Sequence, residues 1–330
     1  MSSATSAGPL GIRRSEPGDR AAILDLCRSA LGWQEDDPNE AFFAWKHEEN
    51  PFGASPSWVA HDDDGRILGL RVFLRWRFRD AEGNVLQAVR AVDTATHPDA
   101  QGKGIFTRLT LGALPDLREL GIDFVFNTPN DRSRPGYLKM GWMTVGRVPV
   151  GMRPGSLRSL ARTARSRTGS ALWSDPLDVG DPALDVLADD AGVERLLAAM
   201  PSTGIATDRD VAYLRWRYRF EPLRYRALLV GADVSDGLVI LRSRTRGLAR
   251  EVVVAEVLLP ADRSLRSVFG DIARRSGADH LLRCGGPRMI RDGFVAAPQL
   301  GPIMTWRPIG RPGVPRMSEL DLSLGDVELF

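Results

Sequence analysis

The chain has 330 residues, more than one average domain and fewer than three, so two domains of comparable size are expected. A hydrophobic share of 43% and a charged share of 26% are ordinary for a soluble globular protein. A net charge of +2 excludes a whole-surface field that would draw nucleic acid or an anionic membrane. Lysine occurs only at Lys46, Lys103 and Lys139; arginine carries the remaining positive charge, the mark of a GC-rich genome rather than of a function. Cys27 and Cys284 are the only cysteines, too few and too distant for a disulfide framework or a thiolate metal site. No histidine pair has metal-ligand spacing. The first residues lack the apolar stretch of a secretory signal, and no apolar run reaches the ~20 residues of a membrane span, so a reduced, cytoplasmic setting is expected.

In chain order, residues 1–10 read as a loose tail of small residues. Gly11 to Arg14 is a short strand, and Glu16 to Asp19 a turn in which Asp19 can cap the following helix. Ile23, Leu24, Leu26 and Leu31 form that helix's apolar stripe. Trp58–Ala60 and Arg66–Phe73 flank Asp62-Asp63-Asp64-Gly65, a hairpin signal. Leu74–Arg79 and Val85–Val92 flank Ala81-Glu82-Gly83-Asn84, a second hairpin. A glycine-bearing loop follows, then a helix over about Phe106 to Leu120 and a strand over Asp123 to Asn127. Antiparallel strands alternating with helices in this order predict an α/β fold around a mixed sheet.

The chain divides into a first domain over 11–150, a linker helix region over 151–185 and a second lobe over 186–330. Arg158, Arg162, Arg165 and Arg167, followed by Trp173, read as an exposed linker helix covering part of the first domain or as a basic surface for an acidic partner. An internal repeat is visible. Phe42-Phe43-Ala44-Trp45 precedes Pro51 as Ala212-Tyr213-Leu214-Arg215-Trp216 precedes Pro222, and each is followed by a strand pair. The second half continues with a strand over Glu251 to Leu258 and a helix over Leu265 to Ser276, but holds no counterpart of the glycine loop. The C-terminal Leu320–Phe330 is either a docked strand or an exposed tail.

The richest segment is Asp93-Thr94-Ala95-Thr96-His97-Pro98-Asp99-Ala100-Gln101-Gly102-Lys103-Gly104-Ile105-Phe106. A strand ends at Pro98, two glycines follow, and a helix begins. Free N–H groups and the helix dipole at such a start hold phosphate or diphosphate. Gly102 and Gly104 remove side chains that would keep an anion away, and Lys103 adds charge. The spacing is neither a nucleotide P-loop nor a dinucleotide fingerprint.

This segment resembles the acyl-CoA signature of the GNAT superfamily, which reads Arg/Gln-x-x-Gly-x-Gly/Ala after a strand ending in x-Pro. His97-Pro98, Gln101 and Gly104 match, and Phe106 departs from the small residue expected last. Phe126-Asn127-Thr128-Pro129-Asn130, then Pro135-Gly136-Tyr137 and Lys139-Met140-Gly141-Trp142, resemble the family's later segment. The resemblance covers roughly residues 11–150, more weakly the second half, and implies a GNAT-like acyl-CoA N-acyltransferase fold in duplicate, its second lobe without the CoA loop.

By that resemblance the backbone of Thr94, Ala95 and Thr96 pairs with the pantetheine arm, and Gln101, Gly102, Lys103, Gly104, Ile105 and Phe106 hold the diphosphate. Asn130 reaches the pantetheine or its phosphate end, and Tyr137 stands near the thioester sulfur. Tyr137 is the candidate general acid, or else a packed aromatic with a solvent-facing hydroxyl. Asp93 is the candidate base, directly or through water, or else a strand-end carboxylate bound to an arginine such as Arg90. His47 can line the acceptor pocket, and His97 points more toward cofactor or solvent. The implied reaction moves an acetyl or other acyl group from acetyl-CoA or another acyl-CoA to a primary amine of a small molecule, such as an amino sugar or metabolite. A non-catalytic CoA-binding protein, an acyltransferase acting on protein or peptide amines, and an aminoacyl-tRNA-dependent transferase are the alternatives.

Overall fold

The computed structural model describes residues 10–328, except 157, 158, 160, 161, 163, 164, 167, 168, 202, 203 and 287. Arg158 and Arg167 of the basic stretch lie outside the described residues. Strand β1 (Gly11–Arg14) leads into helix α1 (Arg20–Leu31) and helix α2 (Asn39–His47). Strands β2 (Ser57–His61), β3 (Ile67–Arg79) and β4 (Val85–Thr96) make an antiparallel meander. Helices α3 (Ile105–Gly112) and α4 (Leu114–Glu119) return the chain to β5 (Phe124–Asn127), parallel to β4. Helix α5 (Arg134–Lys139) and strands β6 (Met143–Arg147) and β7 (Val150–Pro154) follow.

Three local readings change. The two segments that meet at Phe73 and Leu74 are one strand, because the pairing with β4 runs on from Gly69 to Arg79 and every second residue from Leu70 to Phe78 is buried. The helix over Phe106 to Leu120 breaks at Ala113, since Pro115 has no N–H to give the preceding turn and its ring crowds that turn's carbonyl. Asp19 stands at the start of α1 but does not cap it: its carboxylate pairs with Arg13 at 2.6 Å and accepts from the Glu16 N–H at 2.8 Å.

The second half supplies β8 (Asp181–Pro182), β9 (Ile205–Thr207), β10 (Arg226–Leu229), β11 (Leu238–Arg246), β12 (Ala249–Leu258), β13 (His280–Cys284), β14 (Val295–Ala296), β15 (Ile303–Pro308) and β16 (Leu320–Asp321). Among the described residues these strands build two mixed sheets. The first runs β1-β2-β3-β4-β5-β15-β6 and the second β14-β7-β13-β12-β11-β10-β8. Read from β1 and from β8, the two orders carry the same sequence of orientations, with one parallel pair each, β4–β5 and β12–β13.

Each half lends a strand to the other. β15 lies between β5 and β6 of the first sheet, while β7 lies between β13 and β14 of the second. The stretch expected to be linker from residue 151 therefore opens inside the second sheet. One apolar core, with Trp76 and Phe126 from the first sheet and Tyr225 and Val253 from the second half, joins the two. At its centre Trp45 on α2 and Trp216 on helix Val211–Tyr218 stack at 5.3 Å. Each indole N–H donates to the other tryptophan's carbonyl, at 2.6 and 2.7 Å. The C-terminal segment is docked: β16 pairs with β9, and the buried helix Leu324–Val327 gives the Asp326 and Val327 carbonyls to Arg90. No helix among the described residues is long and apolar enough to cross a membrane.

The exchange makes a prediction. A fragment of residues 1–155 lacks β15, so β5 loses its antiparallel neighbour and the shared core is open to water. It is expected to show no cooperative thermal transition by circular dichroism; a sharp melt matching the full chain's would show the first half to be self-sufficient.

Candidate active site

β4 is paired with β5 only over Ala88–Arg90, whereas its pairing with β3 continues to Thr96. Beyond Arg90 the two parallel strands diverge, and among the described residues the β5-facing edge of β4 is left without a strand partner. A bulge sits there. Val92 pairs with Val72 and Thr94 with Arg71, so Asp93 is the extra residue, held at φ 41°. A left-handed aspartate is uncommon and costs on the order of 1–3 kcal/mol, a conformation kept where surrounding contacts over-determine it.

Those contacts are charged. The Lys46 ammonium and the His47 ring, both buried on α2, converge on Oδ2 of Asp93, His47 Nε2 at 2.7 Å. Ser55 Oγ lies 3.0 Å from His47 Nδ1. Burial acts to raise the Asp93 carboxyl, but the Lys46 charge and the His47 bond outweigh it and hold Asp93 well below the usual carboxylate range. Burial pushes the His47 imidazole below its ordinary value more than Asp93 restores it. Asp93 is thus an ionised group with Oδ1 unspent among the described residues. Arg90, the other partner considered for it, instead serves Thr128 and the C-terminal carbonyls, its guanidinium pushed down to about 9 by burial.

Between the diverging strands lies a cavity of ≈ 530 Å³ whose walls include Arg71, Asp93, Thr94, Phe106, Asn130 and Tyr137. Tyr137 comes from α5 on the β5 side and is buried. Phe106 turns its ring edge-on to Tyr137, centroids 5.3 Å apart, so the bulky residue at the turn packs against α5. Asn130 uses its side-chain oxygen to accept from the Arg132 and Ser133 N–H groups at 3.1 and 2.9 Å, fixing the loop before α5.

The glycine turn rims this cavity through Phe106. Gly102 and Gly104 have φ of 77° and 71°, values that favour glycine, and nothing lies within 4 Å of where their side chains would stand. Among the described residues, the N–H groups of residues 102–107 have no hydrogen-bond acceptor. Ile105 anchors the start of α3 in the space that Gly69 leaves on β3. Gln101, Gly102, Lys103 and Gly104 are exposed on the turn, outside the cavity wall. Unspent amides at a helix N-terminus, side-chain-free approach and a lysine are the features an anion site uses.

Of the sequence candidates, Asp93, Thr94, Phe106, Asn130 and Tyr137 meet at one cavity. Ala95 and Thr96 continue the same strand edge. His97 does not reach it; its ring accepts from the Asp99 N–H and lies 2.8 Å from an Arg66 nitrogen. His47 stands behind Asp93 rather than in a separate acceptor wall. Arg71 and Lys46 were missed. Lys46 had one signal, a lysine inside an apolar helix face; Arg71 had none, because its place under Tyr137 comes from strand pairing.

The site's electrostatics predict a pH effect on stability. The folded His47 binds its proton more weakly than the unfolded chain does, so stability is full above about pH 6.5 and falls as pH drops below it. Wild type is expected to lose melting temperature from pH 7.5 to 5.5 more steeply than His47→Gln by scanning fluorimetry. Equal slopes would mean that His47 does not carry the effect.

The family model of the acetyltransferase (GNAT) domain matches residues 11–145. No curated protein matches the chain. Among solved structures, a GCN5-related N-acetyltransferase from Anabaena variabilis superposes with TM-score 0.65 at 14% identity, covering 91% of this chain and 73% of that one. An Enterococcus faecalis V583 protein described as a probable N-acyltransferase gives 0.64 at 12% identity, covering 91% and 72%. A GCN5-related N-acetyltransferase from Kribbella flavida gives 0.63 at 13%, covering 92% and 71%. At such identities these likenesses show a shared fold.

Proposed function

We propose, from the premise that residues 11–145 are a GNAT acetyltransferase domain, that this chain transfers an acetyl group from acetyl-CoA to the primary amine of a small molecule such as an amino sugar or metabolite. The observation that supports the reading is one cavity walled by the unpaired edge of β4 and by Tyr137, with the glycine turn, whose 102–107 amides are unspent among the described residues, reaching its rim through Phe106.

The residues present fit such a donor. The Gln101–Phe106 turn would hold its diphosphate, the Thr94–Thr96 backbone its pantetheine amides, in the manner of an added strand. When bound, acyl-CoA supplies an activated thioester carbonyl. Tyr137 gives its hydroxyl proton to the departing sulfur as general acid. Asp93, ionised and of low proton affinity, holds the amine through Oδ1 and orients it, and water takes the proton the amine loses. Lys46 and His47 keep that carboxylate in its bulge. The second half, which lacks a glycine turn, is proposed as a duplicated lobe that has kept the strand order and the Trp45–Trp216 interlock but not the cradle.

Two substitutions at Gly104 separate backbone strain from charge. Any side chain at its φ of 71° costs roughly 1–2 kcal/mol, and both Gly104→Ala and Gly104→Glu incur this. Only glutamate brings a carboxylate to the cradle, so calorimetry is expected to give near-normal acetyl-CoA affinity for the alanine and at least a tenfold loss for the glutamate. Unchanged affinity in Gly104→Glu removes the turn from the account. For Tyr137→Phe, turnover with the fastest of a panel of primary amines is expected to fall on the order of 10²-fold at unchanged acetyl-CoA affinity. Wild-type turnover in that variant would rule out the acid role.

A further inference from the structure

Beneath the phenol lies a buried positive charge that the reaction scheme above does not use. Arg71 on β3 is 1% exposed. One terminal nitrogen donates to the Tyr137 oxygen at 2.6 Å and the other to Thr94 Oγ1, while Nε has no partner among the described residues. No carboxylate among the described residues stands within ion-pair distance of it. The rings of Phe73, Phe106 and Tyr137 enclose it, their centroids 5.0, 5.6 and 5.4 Å from the guanidinium carbon.

Burying a charge without a counter-charge is costly, and packing does not require it, since an uncharged side chain of similar length would fill the space. A charge in that position repays its burial when negative charge develops beside it, in surroundings too apolar for water to screen. Two geometric facts identify where. The guanidinium occupies the phenol oxygen as a hydrogen-bond donor, so the phenol's own proton must point elsewhere. Among the described residues that proton has no acceptor, and the ring lines the cavity.

We propose that Arg71 is the positioning residue of the transfer reaction, acting through Tyr137: it aims the phenol proton into the cavity and stabilises the phenolate left when that proton goes. The inference rests on the acyl-transfer reading above. The balance is as follows. The amine nitrogen bonds to the carbonyl carbon, the C–S bond breaks with its electron pair staying on sulfur, and sulfur takes the Tyr137 proton. Water takes the proton from nitrogen, and the phenolate is reprotonated from solvent.

The test is a double-mutant cycle with acetyl-CoA as donor and, as acceptor, the fastest of glucosamine, ethanolamine, glycinamide and spermidine, thiol release being read with a disulfide dye. Acetyl-CoA affinity is measured separately by calorimetry. Arg71→Met and Tyr137→Phe are each expected to lower kcat on the order of 10²-fold, and the double variant to be no slower than the slower single one. Affinity for acetyl-CoA is expected to stay within threefold throughout. Arg71→Lys, which keeps charge and donor, is expected to retain at least tenfold more kcat than Arg71→Gln, which keeps a donor alone. That pair decides the matter if Arg71→Met does not fold.

Losses that multiply in the double variant, equal rates for the lysine and glutamine variants, or a collapse of acetyl-CoA affinity with kcat intact would each overturn the proposal. A slow Tyr137→Phe beside a fast Arg71→Met and a fast Arg71→Gln sinks the role of Arg71 alone. Wild-type turnover in Tyr137→Phe sinks the acid assignment beneath it.

Discussion

Strand β4 has a neighbour on both sides only as far as Arg90, and beyond that point the chain must satisfy a strand whose β5-facing edge is bare. Unpaired backbone groups inside a fold are costly unless water or a ligand reaches them. Here the Asp93 bulge and the divergence of β5 open a cavity along that edge. Everything in the candidate site follows from that divergence. The bulge turns Asp93 toward α2 and its Lys46–His47 pair; the gap admits Tyr137 from α5; and the end of β4 delivers the glycine turn to the rim with its amides outward.

The site's charges are arranged in two layers. On the α2 side Asp93 is neutralised by Lys46 through one oxygen and keeps the other for the cavity. On the α5 side Arg71 stands beneath a phenol with no counter-charge among the described residues. A carboxylate of low proton affinity suits holding and orienting an amine more than taking its proton, and a cation under a phenol oxygen suits giving a proton away. In the proposed reaction the cavity therefore has a direction, acceptor side to donor side, set by burial and ion pairing.

Much of this was legible in the residues. The glycine turn, the strand leading into it and Tyr137 are local patterns: helix-start chemistry and a short helix between two strands. The Trp45 and Trp216 repeat was visible as spacing, but not that the two indoles clasp each other's carbonyls. What the sequence hid is long-range. β7 and β15 sit in each other's sheets, and nothing in a strand of five or six residues says which sheet will take it. Arg71 was hidden for the same reason, since its partner Tyr137 is 66 positions away and it takes the pairing of β3 with β4 and of β4 with β5 to bring them together. By sequence Asp93 is a strand residue, either a candidate base or the partner of an arginine such as Arg90; at the bulge it pairs with Lys46 and His47 of α2 rather than with Arg90.

A crystal structure with acetyl-CoA bound tests the central claim most directly, because it asks at once where the diphosphate and the sulfur go. The account predicts diphosphate oxygens about 3 Å from amides within residues 102–107, the pantetheine along the Thr94–Thr96 edge, and the sulfur beside the Tyr137 hydroxyl. Acetyl-CoA seated elsewhere on the chain, or a sulfur facing away from Tyr137 with the turn's amides unengaged, would contradict it.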